Sequence, residues 1–133
     1  MIVTDASFLV MALADDGADG TRSRRRLRGE ELAAPHLVDV EVVSVLRRSL
    51  LTGGVTEQRA SQAMQDLADL QIERVPHGTL LRRAWELRAN YTAYDACYVA
   101  LAELFHAPLL TYDAKVAAAP GAACAFEVFT AAA

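Results

Sequence analysis

The 133-residue sequence contains only two cysteines, Cys97 and Cys124, and neither has the neighbours or spacing of a metal site. We therefore expect reduced cysteines that pack in the interior of a cytoplasmic protein. No apolar run reaches the roughly 18–20 residues needed to cross a bilayer, so we expect no membrane partner. Residues 1–5 also lack the basic start and long apolar segment of a secretion signal.

Lysine is almost missing, since Lys115 is the only one in the sequence. A phosphate-receiving signalling domain shares this length and fold class, but it needs paired acids at its first strand and a lysine after its last strand. This chain matches that pattern poorly. The net charge of -4 gives no overall attraction to nucleic acid, whereas 53% hydrophobic and 23% charged residues are typical of a globular domain.

Short apolar segments alternate with helical patterns along the whole chain. The predicted strands are residues 2–4, 31–34, 72–75, 109–111 and 126–129. The predicted helices are residues 6–14, 21–28, 38–51, 56–70, 78–89, 95–105 and 114–119. This alternation predicts a mostly parallel central sheet of four to five strands flanked by helices on both faces. Since no repeat, linker or boundary interrupts the pattern, we predict a single α/β domain over residues 1–133.

Two aromatic residues lie on apolar helical stripes. In the predicted helix at 78–89, one side carries Leu81, Ala84, Trp85 and Arg88. Tyr98 belongs to the continuous apolar run that follows Asp95. We therefore predict that Trp85 and Tyr98 lie in the core or in a dimer interface.

Four acidic residues occupy positions that are costly for a carboxylate without a partner. Asp5 and Asp113 lie just beyond predicted buried strands, where ligands bind in open α/β sheets. Asp95 is in the first turn of a nearly all-apolar helix, with Thr92 as the expected N-cap. Glu41 falls within a stripe of valines on its own helix.

Each position has a structural explanation as well. An acid in a first helical turn often stabilises the helix dipole, and an acid after a strand is often a turn residue. Glu41 is harder to explain in this way, because a lone carboxylate among valines needs a partner. A single cluster accounts for all four acids, and close carboxylates either raise a pKa or bind a cation.

The cluster predicts the kind of metal and the kind of chemistry. The histidines are scattered along the chain and are expected on the surface or in packing roles; they are His36, His77 and His106. Oxygen ligands alone favour Mg²⁺ or Mn²⁺ over zinc. Such an ion activates water and stabilises phosphate charge, so the predicted reaction is hydrolysis of a phosphate ester.

The sequence resembles the PIN-domain nucleases, and among them the VapC toxins of bacterial toxin–antitoxin pairs. The similarity covers essentially the whole chain, and its motifs follow the family's order. They are Ile2-Val3-Thr4-Asp5-Ala6-Ser7, Pro35 with Glu41-Val42-Val43-Ser44-Val45-Leu46, Thr92-Ala93-Tyr94-Asp95-Ala96-Cys97-Tyr98-Val99-Ala100-Leu101-Ala102, and Leu109-Leu110-Thr111-Tyr112-Asp113. One departure is Tyr112, which stands where the family often has a small residue.

The resemblance implies a Mg²⁺-dependent endoribonuclease that forms a homodimer and is inhibited by a VapB-like antitoxin bound in the active-site groove. It makes Asp5 and Asp95 the main metal ligands. Glu41 and Asp113 would complete the cluster and position or deprotonate the attacking water. The hydroxyls of the residues beside the strand ends, Ser7 and Thr111, are expected to orient the carboxylates.

The densest cluster of positive charge consists of Arg22, Arg24, Arg25, Arg26 and Arg28. These arginines are candidates for contacts with RNA phosphates beside an acidic site. Two other interpretations remain open at this stage: contact with an acidic antitoxin segment, and a solvated helix face. A different class of function is also open, namely a catalytically idle PIN-like module that binds protein or RNA, although four intact acids argue against it.

Overall fold

The computed structural model describes residues 1–132, so Ala133, the last residue of the predicted domain, lies outside the described part. The strands are β1 (Ile2–Thr4), β2 (Leu32–Pro35), β3 (Glu73–Val75), β4 (Leu109–Thr111) and β5 (Phe126–Val128). The helices are α1 (Ala6–Ala14), α2 (Ala18–Leu27), α3 (Leu37–Leu51), α4 (Glu57–Asp69), α5 (Leu81–Glu86), α6 (Ala93–Leu104) and α7 (Ala114–Ala118). A 3₁₀ turn at His77–Thr79 precedes α5.

The five strands form one parallel sheet in the order β3-β2-β1-β4-β5. The predicted α/β class and parallel sheet are therefore confirmed. After β1 the chain builds the sheet outward through β2 and β3, and it then returns to place β4 on the other side of β1. This reversal makes the carboxyl ends of β1 and β4 the topological switch point, which is where ligands bind in folds of this kind.

Both faces of the sheet are buried. Ile2 belongs to a cluster with Phe8 and Leu110, whereas its neighbour Val3 belongs to the larger cluster that includes α6. This follows from the alternation of side chains along a strand. In α6 every residue from 96 to 102 is buried, which confirms the predicted buried helix. This buried helix therefore lies against the centre of the sheet, in contact with β1, β2 and β4.

The prediction of which side of the helix at residues 78–89 faces the interior is wrong. Trp85 is 68% exposed, and the guanidinium of Arg88 lies 4.4 Å from its ring centroid at the surface. The buried series consists of Leu80, Ala84, Leu87 and Tyr91. Its i, i+4, i+7, i+11 spacing also fits a helix, and it is apolar throughout, so burying it avoids the cost of burying a charged arginine. Trp85 is thus not a core residue.

Helix α2 begins earlier than predicted and is closely packed against α1. A side chain at Gly20 would collide with the Asp15 carbonyl oxygen, because an added Cβ would lie 1.9 Å from it. Ser23 is fully buried and its hydroxyl forms a 2.7 Å hydrogen bond with the Tyr112 hydroxyl. The arginine-bearing helix is therefore fixed next to the end of β4.

Within residues 1–132, no helix combines the length and the apolar character required to cross a membrane.

Candidate active site

Asp5 is held at the carboxyl end of β1 by three donors. It is the N-cap of α1, and its Oδ1 accepts hydrogen bonds from the Phe8 amide at 3.0 Å and the Ser7 hydroxyl at 2.6 Å. Its Oδ2 accepts a short hydrogen bond from the Thr111 hydroxyl at the end of β4. Thr111 and Ser7 thus bind the Asp5 carboxylate, as predicted, and they tie the ends of the two central strands together.

Asp113 lies two residues beyond β4 and is the N-cap of α7. Its Oδ1 accepts the Lys115 amide at 2.9 Å, and its own amide donates to Thr111 Oγ1 at 2.9 Å. Thr111 therefore contacts both acids of the sheet edge, through its hydroxyl hydrogen at Asp5 and through its oxygen at Asp113. The order of the strands, rather than proximity in sequence, brings these two acids to the same edge.

The two helical acids complete the set. Asp95 lies in the first turn of α6, where the Thr92 side chain caps the helix by accepting the Asp95 amide at 3.1 Å. Glu41 lies one turn into α3, and its Oε1 accepts the Tyr98 hydroxyl at 2.6 Å. The predicted cap at Thr92 is confirmed. The predicted core position of Tyr98 is also confirmed, since it is 2% exposed, but its contact with Glu41 was not predicted.

All four predicted acids line one cavity of about 560 Å³, which also contains Tyr98, Ser7 and Tyr112. Within residues 1–132, no three acidic, histidine or cysteine side chains are already gathered closely enough to hold an ion. The carboxylates thus share a cavity without forming a closed cage. The donor set itself consists of carboxylate oxygens, which are the ligands that Mg²⁺ takes in proteins.

Burial and mutual repulsion raise the pKa values of three of these carboxyl groups. For Asp5, burial is the largest cause of the raised pKa. The hydrogen bonds to its carboxylate oppose this effect, and the Asp95 charge adds to it. Burial also raises the pKa of Glu41, together with the charges of Asp95 and Asp5 and against the Tyr98 hydrogen bond. The pKa of Asp95 is raised by burial and by the Asp113 charge, against a hydrogen bond from Thr92.

These shifts show that the carboxylates interact. No Lys, Arg or His within residues 1–132 forms an ion pair with any of the four acids. The site therefore has an excess of negative charge that a cation would relieve.

The predicted arginine cluster is partly engaged within the molecule. Arg22 pairs with Asp19 within α2 at 3.2 Å and donates to the Thr130 carbonyl at 2.8 Å, and Arg26 binds both carboxylate oxygens of Glu127 at 2.8 and 2.7 Å. Arg24 donates to two carbonyl groups of the α1 region at 3.0 and 2.8 Å. These three arginines contribute to holding α2 in place.

Arg25 and Arg28 differ from the other arginines of α2 and its C-cap. Both are exposed, and neither side chain has a hydrogen bond or ion pair to the described residues. They are the members of the cluster that are free to contact an anionic partner. The histidines take the expected surface and packing positions: His36 and His106 are exposed, and His77 Nε2 accepts the Leu37 amide at 2.9 Å.

Comparison with known proteins agrees with the fold described above. The sequence model of the PIN domain matches residues 2–122. The chain belongs to the PIN-domain family. Within this family it resembles Ribonuclease VapC1 of Mycobacterium tuberculosis, with 43% identity over 127 residues, covering 95% of this chain and 96% of the relative.

Solved structures share the PIN-domain fold. The crystal structure of PAE2754 from Pyrobaculum aerophilum is 27% identical with a TM-score of 0.70, over 96% of this chain and 83% of that one. VapBC-5 from Mycobacterium tuberculosis, a member of the VapBC family of toxin–antitoxin systems, is 20% identical with a TM-score of 0.58 over 98% of both chains. At that identity the second likeness concerns the fold alone.

Tyr98 is the site residue that sequence reasoning missed. It was assigned to the core because it belongs to an apolar run. The available signal was its position three residues after Asp95, which places both side chains on one face of α6.

We predict that Glu41→Gln stabilises the metal-free protein at neutral pH. A carboxyl group whose pKa is raised by folding favours the folded state only while it is protonated. The contribution of Glu41 to the free energy of unfolding is therefore lost as the pH rises above 4.5, the ordinary pKa of a glutamate side chain. Glutamine removes this loss and still accepts the Tyr98 hydrogen bond. Melting temperatures in EDTA between pH 4 and 8 test this.

The stabilisation by Glu41→Gln is expected to grow with pH over that range. Glu73→Gln is the matched control, since Glu73 is exposed on β3 and lies outside the cavity. A difference between Glu41→Gln and wild type that does not change with pH would contradict the prediction.

Proposed function

We propose that this PIN-domain protein is a Mg²⁺-dependent endoribonuclease toxin of the VapC type, neutralised by a cognate antitoxin. The observation that carries the proposal is the convergence of four acids, from two strand ends and two helices, on one cavity at the switch point of the sheet. The 43% identity with Ribonuclease VapC1 over nearly the whole chain supports the ribonuclease activity.

The ligands of the proposed ion are the carboxylate oxygens of Asp5, Glu41, Asp95 and Asp113. Mg²⁺, or Mn²⁺ in its place, supplies Lewis-acid stabilisation of phosphate charge and acidifies a water molecule. Asp5 is the most rigid ligand, because three hydrogen bonds hold its two oxygens. Glu41 and Asp113 orient the attacking water and accept its proton.

We predict that Asp95→Asn reduces RNA cleavage by at least about 100-fold, because it removes a charged ligand of an ion that supplies several kcal/mol of transition-state stabilisation. Cleavage of a mixed RNA pool with Mg²⁺, Mn²⁺ or EDTA is the measurement. Asp66→Asn is the matched control, since Asp66 is on α4, outside the cavity, and bonds only Gln62 among the described residues. Full activity of Asp95→Asn would refute the assignment of the site.

A catalytically idle binding module is the alternative, and the same experiment separates it from a nuclease. Such a module is expected to bind RNA or protein with no metal-dependent cleavage and no measurable affinity for Mn²⁺. The raised carboxyl pKa values of Asp5, Glu41 and Asp95 favour a cation-binding site instead, since an idle site gains nothing from close like charges.

The RNA is proposed to contact Arg25 and Arg28, the two cluster members without intramolecular partners. Tyr112 supports this placement, because it lines the acidic cavity and its hydroxyl bonds Ser23 on α2. Neither arginine lines the cavity itself, so the phosphates that they bind would belong to nucleotides beyond the cleavage site.

We predict that the double variant Arg25→Ala/Arg28→Ala weakens RNA binding at low salt. Each lost phosphate contact reduces the slope of log K against log salt by about 0.7 for a single strand. Filter binding between 50 and 200 mM salt, with Asp95→Asn as the background to prevent cleavage, measures the slope. Arg82→Ala is the control, because Arg82 is exposed on α5, which does not line the cavity. An unchanged slope would assign the two arginines to the antitoxin or to solvent.

The antitoxin is proposed to cover the cavity. Beyond the acids the cavity wall becomes apolar through Val10, Met11, Val45 and Val55, and Arg48 also lines it. A partner segment with apolar side chains and one acidic group fits this combination, and its binding would exclude RNA from the acids.

We also propose a homodimer, and exposed apolar side chains on α3 and α5 support it. Val40 and Leu51 on α3 are 71% and 68% exposed, and Trp85 on α5 is 68% exposed. Sedimentation of the wild-type protein is expected to give twice the mass of one chain. Val40→Asp is expected to give a monomer if α3 forms the interface, and Trp85→Asp is expected to do so if α5 forms it. A monomeric wild-type protein at micromolar concentration would contradict the proposal.

A further inference from the structure

Tyr98 lines the cavity, and the proposed mechanism gives it no role. It is 2% exposed, and it follows Asp95 by three residues on α6, so both side chains lie on the same face of that helix. Its hydroxyl hydrogen is donated to Glu41 Oε1 at 2.6 Å, across the gap between α6 and α3. The helix that carries one acid of the site therefore also binds a second acid.

This hydrogen bond is the only one that the Glu41 carboxylate makes with the described residues. Asp5, by contrast, accepts three. Glu41 has a long side chain with rotamer freedom to lose, and the charges of Asp95 and Asp5 repel it. Without the Tyr98 hydroxyl, no hydrogen bond or ion pair from residues 1–132 would hold this carboxylate near the other acids.

The hydrogen bond also distinguishes the two oxygens of Glu41. Oε1 is occupied by the Tyr98 hydroxyl, and Oε2 has no partner among residues 1–132. A buried tyrosine hydroxyl needs an acceptor, so rotating Glu41 away from α6 would leave the Tyr98 hydroxyl unsatisfied. Each side chain therefore restricts the conformation of the other.

We propose that Tyr98 is a positioning residue of the metal site, which holds Glu41 through Oε1 and keeps Oε2 as the oxygen that binds the ion. The inference rests on the proposed metal-dependent function and adds to it the residue that orders the most flexible ligand. Groups that orient a ligand in this way typically change metal affinity by 10- to 100-fold when they are removed.

The test is Tyr98→Phe, which keeps the buried ring and removes only the hydroxyl. Calorimetric titration with Mn²⁺, without RNA, is expected to show an affinity roughly 10-fold or more below that of wild type. Thermal unfolding in EDTA checks that the variant is folded. Unchanged Mn²⁺ affinity in the folded variant would overturn the role of Tyr98.

Tyr91→Phe is the matched control. Tyr91 is 7% exposed, and its hydroxyl donates to the carbonyl groups of Val116 and Ala119 at 3.0 and 2.9 Å. The control therefore also removes a buried tyrosine hydroxyl with its hydrogen bonds, but not one bonded to a carboxylate of the site. It is expected to lose stability and to retain the wild-type affinity for Mn²⁺; an equal loss of affinity in both variants would mean a general effect of packing.

A double variant separates positioning from indirect effects. If Tyr98 acts through Glu41, adding Tyr98→Phe to Glu41→Gln weakens Mn²⁺ binding much less than it does in the wild-type background. Equal losses in both backgrounds would overturn the inference. A wild-type protein that binds no Mn²⁺ would overturn the proposed metal site and, with it, the role of Tyr98. If the wild type binds Mn²⁺ and Tyr98→Phe binds it equally well, only the role of Tyr98 is overturned.

Discussion

Repulsion between carboxylates is the constraint on which the arrangement of this site depends. Asp5, Glu41 and Asp95 each have a pKa raised by burial and by at least one neighbouring acid. No basic side chain within residues 1–132 forms an ion pair with them. The fold must therefore hold them together with neutral donors, and it does so with hydroxyl and amide groups that contribute hydrogen bonds without neutralising the charge. A bound cation is the remaining way to relieve the repulsion.

The neutral donors come from elements that also form the centre of the molecule. Thr111 ends β4 and Ser7 lies in the first turn of α1, and both bond Asp5, so the two strands of the switch point are linked at the site itself. Tyr98 belongs to the buried helix α6, whose residues pack against the sheet. Because each donor is anchored in the core, the conformation of the carboxylates depends on correct packing, and a change in the core is expected to reach the site.

The five arginines of α2 and its C-cap fall into two groups. Arg22 and Arg26 bond groups in or just after β5, and Arg24 bonds the end of α1, so these three contribute to holding α2 in place. The side chains of Arg25 and Arg28 have no partner among residues 1–132. The charge pattern alone does not show this division, because all five arginines lie in one short segment. It depends on which of them meet Asp19, Glu127 or a free carbonyl group once α1 and β5 are in place.

The sequence by itself determined the α/β class, the four acids and the cap at Thr92, because these depend on local periodicity and on acids in positions that need partners. It also allowed a family to be recognised. It could not determine the inner face of residues 78–89, where two helical stripes compete and only packing against α6 selects Leu80, Ala84 and Leu87. Nor could it pair Tyr98 with Glu41. That contact joins residues 57 positions apart, and it exists because the tertiary structure places α3 beside the N-terminal half of α6.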